Sequence, residues 1–434
     1  NTSIDKNEAS KGSYDFWLIK LSTDNCNLVP YYVDADDDDF GTGFSIGNAC
    51  EAPGVYFSLN NIDCDDLCEN NNPSAVELCD NIDNNCDGEI DEGLIECIPA
   101  NLIAWQNTIG GNLDDVLLSM EEINTGGFIL GGTSYSGISG DKSEVNLGYG
   151  DYWVVETNSL GNIVWQNTIG GNSDDYLVDI KQTNDGGFIL GGISYSGVSG
   201  DKTETNRGAG DYWIVKIDPL GNIEWQKTLG GSSEDYLFSI DQTDDNGFII
   251  GGMSISDISG DKVEASIGGF DYWVVKVDSA GVIQWQNTIG GNADDGLSVI
   301  KQTLDGGYII GGASDSGISG DKTENRVGAT GTSDYWVVKL DTLGNIVWQN
   351  TIGGSLYDDL TSLEQTNDGG YIVGGISSSG ISGDKTESSM GGSDYWIIKL
   401  TITGNVEWQN TIGGSANDAL YDLHQTMDGG YIVG

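Results

Sequence analysis

One pattern of apolar and polar positions recurs along most of the chain. A strand of β-branched and aromatic residues that begins with "DYW" is followed by a polar turn, as at Pro219 to Asn222. A second strand contains "WQ" and ends in paired glycines, and a third alternates apolar and polar residues. The fourth, such as "GFIIGG", is almost entirely apolar, as expected of a strand buried on both faces. Each copy therefore predicts one sheet of four short antiparallel strands, separated by turn residues.

Two tryptophans mark each copy of this pattern, and the copies repeat about every 60 residues. The first tryptophan, in "DYW" or "DFW", occurs at Trp17, Trp153, Trp213, Trp273, Trp336 and Trp396. The second, in "WQ", occurs at Trp105, Trp165, Trp225, Trp285, Trp348 and Trp408. One thin sheet cannot bury both of its faces, whereas sheets packed radially can. The sequence therefore predicts an all-β fold, a six-bladed β-propeller with four-stranded blades.

The two ends of the chain carry complementary parts of the repeat. The sequence ends at "GGYIVG", where a copy would continue into "SGISGDK", and it begins with "NTSIDKNEASKG", which is similar to the end of that loop. We expect the termini to meet in one ring. The alternative is a piece of a longer array, in which case the visible copies do not fix the number of blades.

The repeat "DYWVVKLDTLGNIVWQNTIGG…QTNDGGYIVGG" resembles the propeller repeats of large secreted and cell-surface proteins of Bacteroidota. The resemblance covers most of the chain outside the first copy's insertion. It implies a propeller fold, a location outside the cell and export by the type IX route. It implies no particular activity.

The first copy departs from the pattern through a long insertion. Its two tryptophans are 88 residues apart, against 12 in every other copy. Hairpin tips tolerate such insertions because the strand pairing below them is undisturbed. We therefore assign residues 1–25 and 98–434 to the propeller and residues 26–97 to an inserted domain.

All 7 cysteines fall in the inserted segment. Dense cysteine in a short segment favours disulfides and an oxidising, extracellular compartment over zinc, whose paired ligands are missing. Cys26 and Cys97 flank the neck of the insertion and are predicted to pair. The odd count leaves one thiol over, for which Cys68 is the candidate. The other disulfide candidates, in no fixed connectivity, are Cys50, Cys64, Cys79 and Cys86.

The insertion also predicts a cation site. Between Cys26 and Cys97 there are 18 Asp and Glu residues and no Lys or Arg, so mutual repulsion opposes compaction unless cations bind. Two runs space oxygen ligands at alternate positions, as calcium loops do, and this pattern suits zinc or copper poorly. The first run is the less regular, since Asp39 stands where such loops prefer glycine. The predicted calcium ligands are Asp34, Asp36, Asp38, Phe40 (by its carbonyl), Asp63, Asp65, Asp83, Asn85, Asp87, Glu89, Asp91 and Glu92.

The segment "CDNIDNNCDGEIDEG" resembles the acidic, cysteine-bearing metal-binding repeats of bacterial secreted proteins. It is also similar in spacing to thrombospondin type 3 calcium loops, and the likeness extends over residues 31–93. The alternative interpretation is a solvated acidic linker.

The net charge of the chain limits the kinds of molecule that it is expected to bind. The formal net charge is −51 at pH 7, which disfavours nucleic acid and anionic lipid surfaces. The sequence contains no run of 18 apolar residues, so it does not predict a membrane-spanning segment. The chain has no leader of the export type, so we expect any such signal to be removed or to lie outside this sequence. These features favour an extracellular or outer cell-surface protein.

The polar residues of the repeats recur in every copy, which is untypical of a catalytic centre. The "DD" pairs and the Asp-Lys-x-Glu loops are interpreted as turn caps and loop salt links. His424 is interpreted as an exposed strand residue. We therefore expect a non-enzymatic structural or adhesive protein with calcium as ligand and with surface glycans or other surface and secretion proteins as partners. The alternative is a carbohydrate-binding or polysaccharide-acting propeller in which Tyr135 and Tyr195 stack on sugars.

Overall fold

The regular secondary structure is entirely β-strand in the residues that can be described. The computed structural model describes residues 103–426 and 429–434, together with the strands Phe16–Leu21, Val29–Tyr31 and Gly47–Ala49. No helix in these parts of the chain is long and apolar enough to cross a membrane. The predicted all-β class is confirmed.

The chain divides into two compact units. Trp17–Asn107 makes up most of one unit, and Thr108–Gly434 makes up most of the other. Strands β1 (Phe16–Leu21) and β4 (Ile103–Ile109), most of whose residues belong to the smaller unit, form a two-stranded sheet. Strands β2 (Val29–Tyr31) and β3 (Gly47–Ala49) form a second one, antiparallel, with Pro30 opposite Asn48. The predicted domain boundaries at residues 26 and 97 lie outside the described residues and stay a prediction.

The larger unit contains five four-stranded antiparallel sheets, numbered here in chain order. The first sheet contains β5 (Asp115–Glu122), β6 (Phe128–Ser134), β7 (Asp151–Thr157) and β8 (Ile163–Ile169). The second contains β9 (Asp175–Gln182), β10 (Phe188–Ser194), β11 (Asp211–Ile217) and β12 (Ile223–Leu229). The third contains β13 (Asp235–Gln242), β14 (Phe248–Ser254), β15 (Asp271–Val277) and β16 (Ile283–Ile289). The fourth contains β17 (Asp295–Gln302), β18 (Tyr308–Ser314), β19 (Asp334–Leu340) and β20 (Ile346–Ile352).

The fifth sheet contains β21 (Asp358–Gln365), β22 (Tyr371–Ser377), β23 (Asp394–Leu400) and β24 (Val406–Ile412). It is followed by a two-stranded sheet of β25 (Leu423–Gln425) and β26 (Tyr431–Val433).

The grouping of strands into sheets differs from the predicted one. We expected a sheet to run from one "DYW" strand to the following apolar "GFIIGG" strand. Instead each sheet begins with the alternating strand and ends with the "WQ" strand, as in β9 to β12. The reason is that β10 and β11 pair across the long polar loop, with Ser194 opposite Asp211. The short Gly230–Gly231 link, which resembles a turn in the sequence, leads instead to the next sheet.

The turns within the sheets are as predicted. At the β11–β12 turn, the Asp218 amide donates to the Asn222 carbonyl at 2.9 Å. Gly221 has a φ of +84°, a conformation that glycine adopts without strain. At the β13–β14 turn, the amide of Thr243 donates to the carbonyl of Gly247 at 3.0 Å. The polar tetrapeptides between the strands are therefore true hairpin turns.

The hydrophobic core lies between successive sheets. Tyr152 of the first sheet is fully buried against Trp213 of the second, with ring centroids 4.8 Å apart. Its hydroxyl donates to the Trp213 carbonyl at 3.0 Å. The same pair recurs between the later sheets as Tyr212–Trp273, Tyr272–Trp336 and Tyr335–Trp396. Sheets packed face to face in this way are built as propeller blades are.

The paired glycines of the apolar strand permit this close packing. A Cβ atom on Gly192 would lie 2.0 Å from the Tyr176 carbonyl oxygen, where β9 bulges. A Cβ atom on Gly191 would lie 2.9 Å from the Leu237 side chain of the next sheet. The "GG" of the repeat is therefore required both within a sheet and between sheets.

Candidate functional site

The predicted metal site lies outside the described residues. The ligands assigned from the sequence fall there without exception, as do the cysteines proposed for disulfides. These residues are Asp34, Asp36, Asp38, Phe40, Asp63, Asp65, Asp83, Asn85, Asp87, Glu89, Asp91 and Glu92, and Cys26, Cys50, Cys64, Cys79, Cys86 and Cys97. Within the described parts of the chain, no group of three or more His, Cys, Asp or Glu side chains could hold a metal ion.

Each sheet contains a buried polar cluster, which the second sheet illustrates. Asp175 begins β9, and its Oδ2 accepts hydrogen bonds from the Gly171 amide at 2.7 Å and the Ser196 hydroxyl at 2.9 Å. Burial raises the pKa of Asp175 despite these bonds. The second aspartate of the "DD" pair therefore fastens the link between two sheets, in agreement with its interpretation as a cap.

The lysine of the Asp-Lys-x-Glu loop is buried, which corrects its interpretation as part of a loop salt link. The acidic residues of the motif do form ion pairs, Glu204 with Lys227 at 3.2 Å and Asp261 with Arg207 at 3.1 Å. The Lys202 Nζ donates to Thr228 Oγ1 at 2.6 Å and lies 5.0 Å from the centre of the Trp213 ring. Burial lowers the pKa of Lys202 to about 8. Glu204 of the same motif accepts a hydrogen bond from the Thr228 amide at 2.8 Å. The motif therefore fixes the long loop to its own sheet through a threonine and a tryptophan.

A third buried charge is the aspartate of "DYW", which the sequence analysis did not single out. Asp211 Oδ2 accepts hydrogen bonds from the amides of Arg207 and Gly208. Its Oδ1 is buried and makes no hydrogen bond to any described residue. Burial, together with the nearby charge of Asp235, raises the pKa of Asp211 to about 7. The signal in the sequence was the presence of this aspartate before every "YW" or "FW".

The same buried groups recur from sheet to sheet. The equivalents of Asp211 with a buried, unbonded Oδ1 are Asp151, Asp271, Asp334 and Asp394. The equivalents of Lys202, all buried, are Lys142, Lys262, Lys322 and Lys385. Because no sheet differs from the others in these positions, they form a structural framework for the loops.

His424 lies on β25 and is exposed, as predicted. Its Nε2 is 3.1 Å from Asp422 Oδ2, and its Nδ1 is 3.7 Å from Glu364. The hydrogen bond with Asp422 raises the pKa of His424. This ion pair lies at the surface, and nothing about it resembles a general base oriented towards a nucleophile.

A row of aromatic side chains crosses the first three sheets where their strands begin and end. We call Tyr135, Tyr176, Tyr195, Tyr236 and Phe270 the aromatic row. Tyr135 follows β6 and Tyr195 follows β10, whereas Tyr176 and Tyr236 are the second residues of β9 and β13. Phe270 immediately precedes β15. These positions place the two tyrosines named from the sequence next to three rings that the sequence analysis missed.

Contacts join the members of the row across sheets. The Tyr176 hydroxyl is hydrogen-bonded to that of Tyr135, and its ring meets Tyr195 edge-on, with centroids 6.1 Å apart. The hydroxyls of Tyr195 and Tyr236 are 3.4 Å apart. Tyr236 stacks on Phe270 with centroids 5.7 Å apart. Tyr195 is 36% exposed and the other four rings are half-buried, so the row is a surface feature.

Comparison with known families identifies one part of the chain. The family model described as "Putative metal-binding motif", named for copper binding in MopE, matches residues 63–92. The match confirms the resemblance of the acidic segment to metal-binding repeats, and it leaves the identity of the metal undetermined.

A longer stretch of the chain is similar to a curated protein. The Regulatory protein FlaEY of Caulobacter vibrioides is 25% identical over 254 residues, which are 56% of this chain and 25% of that protein. The chain therefore spans about a quarter of the length of this curated relative.

Three solved structures are among those to which the chain is similar. Hydrazine synthase of Kuenenia stuttgartiensis has a TM-score of 0.44 at 12% identity, covering 72% of this chain and 71% of that one. BamB of Moraxella catarrhalis has a TM-score of 0.35 at 14% identity, covering 76% and 87%. The Pan2 WD40 domain of Neurospora crassa has a TM-score of 0.38 at 10% identity, covering 71% and 68%. Identity and TM-score are low in all three cases, and nothing about function follows from them.

Proposed function

We propose that this is a non-enzymatic protein of the extracellular space or outer cell surface, with a structural or adhesive role. The proposal is supported by the recurrence of the same buried charged groups in every complete sheet. Buried carboxylates and lysines such as Asp211 and Lys202 occupy the same positions in all five complete sheets. A catalytic centre needs reactive groups that one site alone possesses, whereas a scaffold needs the same bonds in every unit.

The proposal includes closure into a six-bladed propeller. Strands β25 and β26 correspond to the first two strands of a complete sheet, and β1 and β4 correspond to its last two. The two pairs therefore supply the complementary halves of a sixth blade.

We further propose that residues 26–97 form a calcium-stabilised module. The support is the match of residues 63–92 to a metal-binding family and the spacing of carboxylates from Asp83 to Glu92. Oxygen ligands at alternate positions suit calcium, whereas copper prefers imidazole and sulfur. The one histidine of the chain, His424, lies outside the segment. Cysteine thiolates can bind copper only if they are free, and we propose that the cysteines form disulfides.

The proposed location rests on cysteine usage, charge and repeat type. Disulfides persist in oxidising compartments, and the net charge of −51 keeps a surface protein soluble. The resemblance of the repeats to secreted proteins of Bacteroidota supports export by the type IX route. Partners of this class are surface glycans or other surface and secretion proteins.

A carbohydrate-binding role is the second candidate function. It is favoured by the half-buried and exposed tyrosines, including Tyr135 and Tyr195, that lie together at one surface. A polysaccharide-acting enzyme would in addition need two carboxyl groups flanking one bond.

Metal removal tests the calcium module in the full chain. Chelated protein is titrated with calcium, magnesium and copper by calorimetry, and its thermal unfolding is followed with each metal. We expect calcium to bind tightest and to raise the unfolding temperature of one transition. Asp87→Asn should weaken calcium binding roughly tenfold or more, while Asp257→Asn, at an exposed loop position, should leave it unchanged.

Copper binding that exceeds calcium binding, or a melting curve that no metal alters, would refute the calcium assignment. Surface labelling of intact cells that fails to detect the protein would refute the proposed location.

A further inference from the structure

The aromatic row is confined to the first three sheets, although the fourth and fifth sheets have the same fold. In the fourth and fifth sheets, the positions of Tyr176 and Tyr236 are occupied by Gly296 and Asp359. The alignment is fixed by strand register, because Tyr176, Gly296 and Asp359 each lie one residue inside the first strand and face the sixth residue of the next strand. The rings are thus absent from positions whose backbone pairing is the same.

The loop positions that contribute to the aromatic row also lack aromatic residues in the fourth and fifth sheets. Tyr135 and Tyr195 correspond to Asp315 in the fourth sheet and Ser378 in the fifth. The backbone is identical in its hydrogen bonding, since the Tyr195 amide donates to Asp174 at 2.9 Å and the Ser378 amide donates to Tyr357 at 2.8 Å. The position of Phe270 is taken by Ser333 and Ser393. The fold therefore does not require the rings, and their presence on three sheets needs another explanation.

Carboxylates are held beside the rings by the backbone. Glu234 Oε2 accepts a hydrogen bond from the Gly210 amide at 3.2 Å, and Tyr236 is hydrogen-bonded to Glu234. Asp174 Oδ1 accepts one from the Gly150 amide at 3.2 Å, and Asp294 Oδ1 accepts one from the Phe270 amide at 2.9 Å. Fixed carboxylate acceptors therefore lie beside the phenol hydroxyls and rings of the row.

This combination fits a hydroxyl-rich ligand with repeating rings. The negative face of an aromatic ring attracts the polarised C–H groups of a sugar, and rigid tyrosines offer apolar area and a hydroxyl together. The second and third sheets present the same chemistry at equivalent positions, Tyr176 with Tyr236, which suits a polymer of repeated units. The charge of −51 disfavours an acidic polymer. A cationic peptide is the alternative ligand, because the same carboxylates would attract it, and the experiment below distinguishes the two.

We propose that the aromatic row binds a neutral polysaccharide, with several pyranose rings of one chain lying across the first three sheets. The inference rests on the proposed adhesive function and names the ligand class of its second candidate. It is independent of the calcium module.

Affinity electrophoresis of the full chain tests the row. The protein is run through gels containing xyloglucan, a β-1,3-glucan or galactomannan, and hyaluronate serves as an acidic polysaccharide. Poly-lysine binding is measured by calorimetry. We expect retardation by at least one neutral polysaccharide and none by hyaluronate. The double variant Tyr195→Ser with Tyr236→Ser should lose tenfold or more in affinity.

The control variant is Tyr421→Ser, which removes a 74% exposed tyrosine outside the row and should bind as the unchanged protein does. Unfolding curves establish that the variants are folded. If the first double variant is unfolded, Tyr135→Ser with Tyr176→Ser tests the other end of the row.

Three outcomes would overturn the proposal: no retardation by any neutral polysaccharide, equal loss in the control variant, or an effect of the double variant on poly-lysine binding alone. Measurements in the presence of a chelator separate this proposal from the calcium module. Retardation that persists without metal supports polysaccharide binding by the aromatic row, even if the calcium module is refuted. Calcium binding without any retardation supports the calcium module and refutes polysaccharide binding by the row.

Discussion

The second and fifth sheets have the same interior and different edges. In both, a tryptophan carbonyl accepts the hydroxyl of a tyrosine from the preceding sheet, at Trp213 and at Trp396. In both, a buried lysine lies about 5 Å from the ring of that tryptophan. The tyrosine hydrogen bond joins neighbouring sheets and the lysine contact holds a long loop to its own sheet, so these positions are determined by the fold.

At the positions of the aromatic row, the two sheets share only their backbone. Tyr176 and Tyr195 of the second sheet correspond to Asp359 and Ser378 of the fifth. The comparison separates positions that the fold determines from positions that it leaves free. Function in such a repeated fold is to be sought at the free positions.

The largest effect is expected from removing a shared core residue. Trp213→Ala and Trp336→Ala should each destabilise the protein by about 3–5 kcal/mol, because each deletes a fully buried ring. Since the interior is common to sheets with and without the aromatic row, the two losses should be alike. Urea unfolding of both variants measures them, and a loss in one variant alone would contradict the shared interior.

Stability should decrease as the pH rises from about 4 to about 7. Burial raises the pKa of Asp151, Asp271 and Asp334 to about 6 and that of Asp211 to about 7. Within this window the folded carboxyls keep protons that the unfolded chain releases, so the free energy of unfolding falls with rising pH.

Urea unfolding at several pH values measures this slope. The carboxyl of Asp368, whose pKa is lowered to about 2, and the lysines whose pKa is about 8 titrate outside the window. Asp211→Asn retains an acceptor for the two backbone amides and should make the slope shallower. A stability that increases between pH 4 and pH 7 would rule out buried, protonated aspartates.

Turn glycines should show a smaller effect that depends on contact with the preceding sheet. Gly221 and Gly186 both have positive φ, +84° and +85°, so alanine costs about 1–2 kcal/mol at either. A Cβ atom on Gly221 would in addition lie 3.0 Å from the Trp165 ring, whereas one on Gly186 finds its nearest neighbour, Pro219, at 3.7 Å. Gly221→Ala should therefore be the more destabilising variant in urea unfolding. Equal losses would show that the tryptophan moves aside freely.

The smallest effect on stability is expected from extending the aromatic row. Gly296→Tyr with Asp315→Tyr introduces into the fourth sheet the two tyrosines that the second sheet contributes to the aromatic row. A Cβ atom on residue 296 would have no neighbour closer than 3.7 Å. Stability should change by no more than about 0.5 kcal/mol, as for other surface substitutions. Affinity for the neutral polysaccharide should rise several-fold in the same gels. Unaltered or weaker retardation would count against an extended ligand.

The strands were predictable because their pattern is local. The alternation of β13, the apolar run of β14 and the turns at Gly221 and Asn246 can each be recognised within ten residues or so. Their assembly into sheets was predicted with the wrong grouping. A short link such as Gly230–Gly231 resembles a hairpin turn, and only the pairing of Ser194 with Asp211 shows that the long loop connects neighbouring strands.

The candidate sites were predictable to different degrees. Acidic spacing alone predicted a metal-binding segment, since its ligands are close in sequence, and the family match at residues 63–92 agrees. Tyr135 and Tyr195 were noticed because they stand at equivalent positions. Tyr176, Tyr236 and Phe270 were missed because they join the row through contacts between residues that are distant in sequence.

The sequence by itself determined the repeat, the strands, the turns and the acidic, cysteine-rich character of the insertion, because periodicity and composition are properties of neighbouring residues. Only the tertiary structure decided which strands share a sheet, that the loop lysines are buried, and that five aromatic rings lie in one row. These features depend on how sheets pack face to face, and packing brings together residues that no local pattern connects.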